Sequence, residues 1–314
     1  MALMTPSETL EWTVQPCDIR QDDHIPGAVT TRYGKDVSDT VSYRFNSAGF
    51  RGEEYDPEAR IRICVIGESN SFGTGLAEEL TYGSRVADHL SLALGVPREE
   101  VNVLNLSVGG ASGDYVTRML LKHVPALEFD LVLLYFPPPQ RMEYCDANGF
   151  ERFNLASIPP ERLDNLPPPL EGYLELYNDN LGRIAMIKNI LLAQGLLEHA
   201  RIPYVIATEH LRPNLGNRPR LAPFLGALDN RWILRHRYFV MRLDRAADGT
   251  HGGPIGHGAL AVAMLPLIAA QFDRHGEEEA VEKITLHCKR LKAADPDWKA
   301  MRRALREAKE RGPQ

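Results

Sequence analysis

A chain of 314 residues, 44% of them hydrophobic, can bury a large core in one elaborated domain or in two. Its 36 basic and 42 acidic side chains leave a net charge of -6, which offers no electrostatic footprint for nucleic acid and no polybasic handle for a membrane surface. The opening MALMTPSETLEW lacks a basic segment followed by an apolar one, and no stretch reads as long enough for a transmembrane helix, so the expected location is the cytoplasm.

The first sixty residues are polar and turn-rich, an extended lead-in (1–60) ending in RFNSAGFRGEEYDPE. The core pattern starts at Ile61. IRICVI is short, β-branched and stopped by Gly67, as a buried parallel strand would be. A Gly/Ser-rich turn and a helix over about Tyr82 to Leu94 follow. The unit then recurs: strand Val101 to Leu106, a second Gly/Ser-rich turn, and a helix from about Asp114 to His123 that Pro125 would end. A third strand, Asp130 to Phe136, leads into a Pro-rich turn and a long polar segment, where Pro159 to Pro169 is a candidate for part of a lid. A helix from about Leu170 to His199 and a fourth strand, Tyr204 to Thr208, come next. Alternating strands and helices predict a three-layer αβα sandwich around a parallel sheet, with every strand-to-helix turn on one rim. From Gly276 the tail is strongly charged, with apolar residues at helical spacing. It predicts two amphipathic helices broken near Pro296, either packed on the domain (61–275) or forming a partner surface.

Four cysteines, Cys17, Cys64, Cys145 and Cys288, show no paired spacing, and Cys64 sits within an apolar run as a small core residue.

Two strings carry chemistry. GESNSFGTG, Gly67 to Gly75, follows the first core strand and presents Ser69 at the rim beside backbone N–H groups able to stabilise an oxyanion. It is no phosphate-binding loop, because Leu76 and Ala77 stand where Lys and Ser/Thr are needed. It is no α/β-hydrolase elbow either, because Ser71 occupies the last glycine position. DGTHGGPIGHGALA, Asp248 to Ala261, places an aspartate and a histidine on one Gly-rich loop before an apolar helix running to about Phe272. Asp248 would orient the imidazole, and His251 would take the proton of Ser69 as general base. His251 and His257 lack a third ligand for a zinc site, and His257 is expected to bond locally at the start of its helix.

Together these strings resemble the SGNH (GDSL) hydrolase family. GESNSFG is similar to its serine block and DGTH to its D-x-x-H block. NLSVGGASG, Asn105 to Gly113, resembles the second block, and NSAGFRG a segment upstream of the serine in some members. The resemblance runs from about Phe45 to Phe272. It implies a serine nucleophile at Ser69, an acid–base pair at Asp248 and His251, and an oxyanion hole from the N–H groups of Ser69 and Gly110. It implies no metal or organic cofactor. Two departures stand out. Glu68 replaces the usual aspartate beside the serine. The third block, G-x-N-D in the family, is FPPPQRMEY here, without the asparagine that donates to the oxyanion hole. Loss of one such donor costs about 3–4 kcal/mol in a comparable site. Gln140 is the candidate substitute donor, and Arg141 a candidate for an anionic substrate group. Arg51, Asn70 and His210 are further candidates for lining the site, with Glu209 beside His210. The expected substrate is a small-molecule ester or an acylated sugar. Three outcomes stay open: transfer of the acyl group to water, its transfer to another acceptor, and binding without turnover.

Overall fold

The computed structural model describes residues 41–146, 149–155, 166, 168–208, 210–211, 219–235 and 243–294. In chain order these form β1 (Ile61–Ile66), α1 (Ser69–Phe72), α2 (Tyr82–Leu94), β2 (Val101–Asn105), α3 (Gly113–His123), β3 (Leu131–Tyr135), β4 (Arg141–Asp146) and β5 (Gly149–Asn154). They continue with α4 (Pro168–Leu176), α5 (Asp179–Ala200), β6 (Tyr204–Thr208), α6 (Ala222–Ala227), β7 (Ile233–Arg235), α7 (Pro254–Arg274) and α8 (Glu278–Ala294).

Five strands make one parallel sheet in the order β2-β1-β3-β6-β7, with Ile61 opposite Val101 and Ile63 opposite Leu131. Alternation along β1 divides the core. Ile63 and Val65 face the layer formed by α2, α7 and α8, whereas Cys64 and Ile66 face α3 and α5. Burial on both faces is why β3, β6 and β1 from Ile63 onward read as near-continuous apolar runs. The expected three-layer αβα sandwich is therefore present. The chain leaves β1 for β2 on one side and returns past it to β3 on the other. The strand order thus switches beside β1, where the crevice at the carboxyl ends of the strands opens.

The structure departs from expectation in four places. β7 adds a fifth strand, too short to show a period. Beyond β3 the polar segment contains an antiparallel hairpin, β4 paired with β5 and Arg141 opposite Asn154. The single helix expected over Leu170 to His199 is two, because the Asn178 side chain caps α5 by accepting from the N–H groups of Asn180 and Leu181. And α7 is long and apolar enough to cross a membrane, where the sequence predicts no such stretch. It packs against the sheet instead, with Leu260, Ala261, Met264, Leu265 and Ile268 fully buried.

Of the charged tail, α8 packs on the domain, burying Ile284 and setting His287 Nε2 3.1 Å from His89 Nδ1. The second tail helix expected beyond Pro296 lies outside the described residues. So does 159–167 apart from Leu166, most of the expected lid. Cys64 and Cys288 are free thiols, while Cys17 and the side chain of Cys145 lie outside the described residues.

Candidate active site

Gly67, at the end of β1, has no room for a side chain. A Cβ there would lie 2.1 Å from Ser71 Oγ and 2.9 Å from Tyr135 Cβ. That close approach lets the chain turn at once into α1, whose first residue is Ser69. Gly73 ends the turn in the left-handed region at φ 80°, where glycine carries no Cβ penalty. The loop is held from its buried side. Arg51 donates to the carbonyls of Phe72, Gly73 and Leu76 at 2.8, 2.7 and 2.6 Å, and Tyr43 Oη accepts from Gly75 N at 2.7 Å. Asn105 Nδ2 donates to Ser71 O, and Tyr82 Oη to Ser71 Oγ.

Arg51 therefore does not line the site. It is 1% exposed, its guanidinium lies 4.4 Å from the Tyr43 ring centroid, and its task is to brace the serine loop. A buried cation needs acceptors, and the loop's inward carbonyls provide them.

Ser69 Oγ donates to Glu68 Oε2 at 2.6 Å. The same oxygen accepts from Arg141 Nη1 at 2.9 Å, while Oε1 accepts from the backbone and side-chain nitrogens of Asn70 at 3.0 and 2.6 Å. Glu68 is 2% exposed. Burial alone would push its carboxyl up, but the Arg141 charge and the donors on Ser69, Asn70 and Arg141 outweigh it and hold the group below the usual carboxylate range. Asn70 and Arg141, expected to contact substrate, instead spend these donors on Glu68.

The Gly-rich loop before α7 brings Asp248 and His251 into contact. Asp248 Oδ2 and His251 Nδ1 share a short hydrogen bond. Asp248 Oδ1 accepts from the N–H groups of Thr250 and His251 at 3.0 Å, and Thr250 Oγ1 donates to Oδ2 at 2.7 Å. Burial opposes ionisation of Asp248, yet these donors, His251 first, bring its carboxyl down to about 2. The pair sits against the serine loop. Ala247 N donates to Gly75 O at 3.0 Å, and a Cβ on Gly75 would lie 3.2 Å from Asp248 Cγ.

Gly110 has φ 77° in a partly exposed turn after β2. Neither its N–H nor that of Ser69 meets an acceptor among the described residues. Gln140 is half-buried, and its Oε1 is buried without a hydrogen-bond partner among the described residues. His210 follows β6 with its N–H on Thr208 Oγ1, and Glu209 lies outside the described residues. His257 bonds across the fold rather than locally: it is fully buried, and its Nδ1 accepts from Tyr82 N at 3.0 Å. Burial lowers its pKa to about 3, so the ring is neutral. Among the described residues no cluster of three or more His, Cys, Asp or Glu is placed to hold a metal.

In the sequence Glu68 stands out only as a departure beside the serine. Its signal was a buried-side acid with a basic residue in the altered third block, but 73 positions separate Glu68 from Arg141.

No family model and no curated protein matches the chain. Similar solved structures include TesA, at 15% identity and a TM-score of 0.42, covering 67% of this chain and 99% of that one. A lipase/acylhydrolase from Enterococcus faecalis is 14% identical at a TM-score of 0.36, with 68% and 96% covered. Axe2, an acetylxylan esterase from Geobacillus stearothermophilus, is 16% identical at a TM-score of 0.35, with 68% and 96% covered. Scores this low carry no functional argument, and the fold stands on its own sheet order and layers.

Proposed function

We propose that the chain is a serine hydrolase of the SGNH type that cleaves an O-acyl ester of a small molecule or sugar in the cytoplasm. The observation that carries this reading is the Asp248–His251 pair docked through Ala247 onto the loop of Ser69, at the switch point of the sheet. With Nδ1 engaged by Asp248, His251 has Nε2 left to take a proton. In this reading the Ser69 hydroxyl leaves Glu68 and turns to that nitrogen. Oγ then attacks the ester carbonyl as its proton passes to His251, and the N–H groups of Ser69 and Gly110 receive the oxyanion. Collapse expels the alcohol, which takes the proton from His251, and leaves an acyl-serine. Water, deprotonated by His251, attacks the acyl carbon, and collapse releases the acid as Ser69 Oγ takes the proton back from His251. An alcohol in place of water would make the same site an acyltransferase.

One observation favours a silent binding protein: the Ser69 hydroxyl rests on Glu68 and not on His251. Intact-mass measurement after a fluorophosphonate probe decides between them. The expected result is a single adduct on the wild type, absent from Ser69→Ala and strongly reduced in His251→Ala. A well-folded wild type that takes no adduct would overturn the hydrolase reading. Product analysis with p-nitrophenyl acetate, with and without acceptor alcohols, then separates hydrolysis from transfer.

A further inference from the structure

The Glu68–Arg141 pair has no part in the steps above, yet it touches the nucleophile. Glu68 Oε2 is bonded at once to Ser69 Oγ and to Arg141 Nη1, so the guanidinium and the hydroxyl are separated by one carboxylate oxygen. A buried carboxylate in that place opposes acyl chemistry. As the serine proton leaves and charge grows on the attacked carbonyl, a fixed negative charge stands beside it with little water to screen it.

Resting on the reading of Ser69 as nucleophile, we infer that Arg141 is a positioning residue that acts through Glu68. It cancels the carboxylate's charge and holds it where it fixes the serine hydroxyl. The hairpin presents the arginine in place. Arg141 N donates to Pro138 O at 3.1 Å, and the neighbouring Glu143 is bound by Arg118 Nη2 of α3 at 2.7 Å. The side chains of Arg141 and Glu68 are only 15% and 3% exposed, so neither charge is tolerated without the other. No proton moves within the pair. Glu68 stays a carboxylate throughout, the serine proton goes to His251, and Asn70 and Arg141 keep the carboxylate bonded once Ser69 is acylated.

Among the described residues, the titratable Tyr82 of α2 and His257 of α7 also lie within the influence of the Glu68 charge. Burial keeps the Tyr82 hydroxyl protonated and His257 neutral, so neither changes charge between about pH 5 and about pH 9.

The test is the rate of fluorophosphonate labelling at Ser69 across that pH range, for wild type, Ser69→Ala, Arg141→Met and the double variant Glu68→Gln/Arg141→Met. Arg141→Met is expected to label at least about tenfold more slowly than wild type at pH 8. Its rate relative to wild type should climb as pH falls, because protonation of the uncompensated Glu68 removes the opposing charge. The double variant, lacking both charges, is expected to label at least about threefold faster than Arg141→Met at pH 8, with a pH-independent ratio to wild type. Wild-type labelling in Arg141→Met, or a double variant as slow as the folded single one, overturns the inference alone. Should Arg141→Met not fold, recovery in the double variant supports charge compensation and continued slowness overturns it. A wild type that takes no label, or a label that survives in Ser69→Ala, overturns the nucleophile reading itself and the inference with it.

Discussion

Arg51 Nη1 donates to the carbonyl oxygen of Gly73 at 2.7 Å, and this buried bond, not a substrate contact, is what the arginine of the GFRG string is for. Three carbonyls converge on one guanidinium, so the loop bearing Ser69 cannot flex inward without stripping a buried cation of its partners.

Replacing Arg51 by alanine is accordingly expected to cost about 3 kcal/mol or more in urea unfolding, since each buried carbonyl left unpaired costs about 1–3 kcal/mol. Arg51→Lys should lose most of that too, because an ammonium cannot reach three acceptors as a planar fork does. Wild-type stability in Arg51→Ala would show that the loop is held by other contacts.

Asp248→Asn is expected to slow ester turnover on the order of 10⁴-fold, because an amide holds the wrong imidazole tautomer toward Ser69. Asp248 also contributes to stability. Its carboxyl titrates at about 2 in the fold, below its ordinary value of 3.8. The stabilisation is therefore full above about pH 4 and lost as pH falls toward about 2. Thermal melts of wild type and Asp248→Asn should differ in slope across that window and run parallel above it.

His257 makes a second pH-dependent contribution. Its ring is neutral in the fold, with a pKa of about 3 against an ordinary 6.5, so the unfolded chain binds the extra proton first. Stability should fall as pH drops from about 6.5 toward 3, and His257→Gln should lack that slope in urea titrations. His257→Ala also strands the buried N–H of Tyr82, at a cost of about 1–3 kcal/mol.

Gln140 stands just before β4, and its amide oxygen meets no hydrogen-bond partner among the described residues. If its amide nitrogen supplies the third oxyanion donor, Gln140→Ala slows labelling of Ser69 by about 10²-fold while leaving the melting temperature near wild type. An unchanged rate would assign the oxyanion to the backbone donors of Ser69 and Gly110 alone.

What the sequence determined by itself were the features set by neighbours along the chain. IRICVI and YVIAT alternate faces and end at turns. Gly67 precedes Ser69 because the turn leaves no room for a side chain, and the three-residue step from Asp248 to His251 closes a hydrogen bond within one loop. Each depends on local sterics or on a contact a few residues long, so residue type and spacing suffice. The tertiary structure alone decided which charges meet. Arg51 reads in the sequence as a candidate for lining the site, whereas the carbonyls of a loop more than twenty positions away enclose it. Arg141 looked like a hook for an anionic substrate until the hairpin delivered it to Glu68. A buried charge takes whichever partner the packing brings within reach, and sequence distance places no limit on that choice.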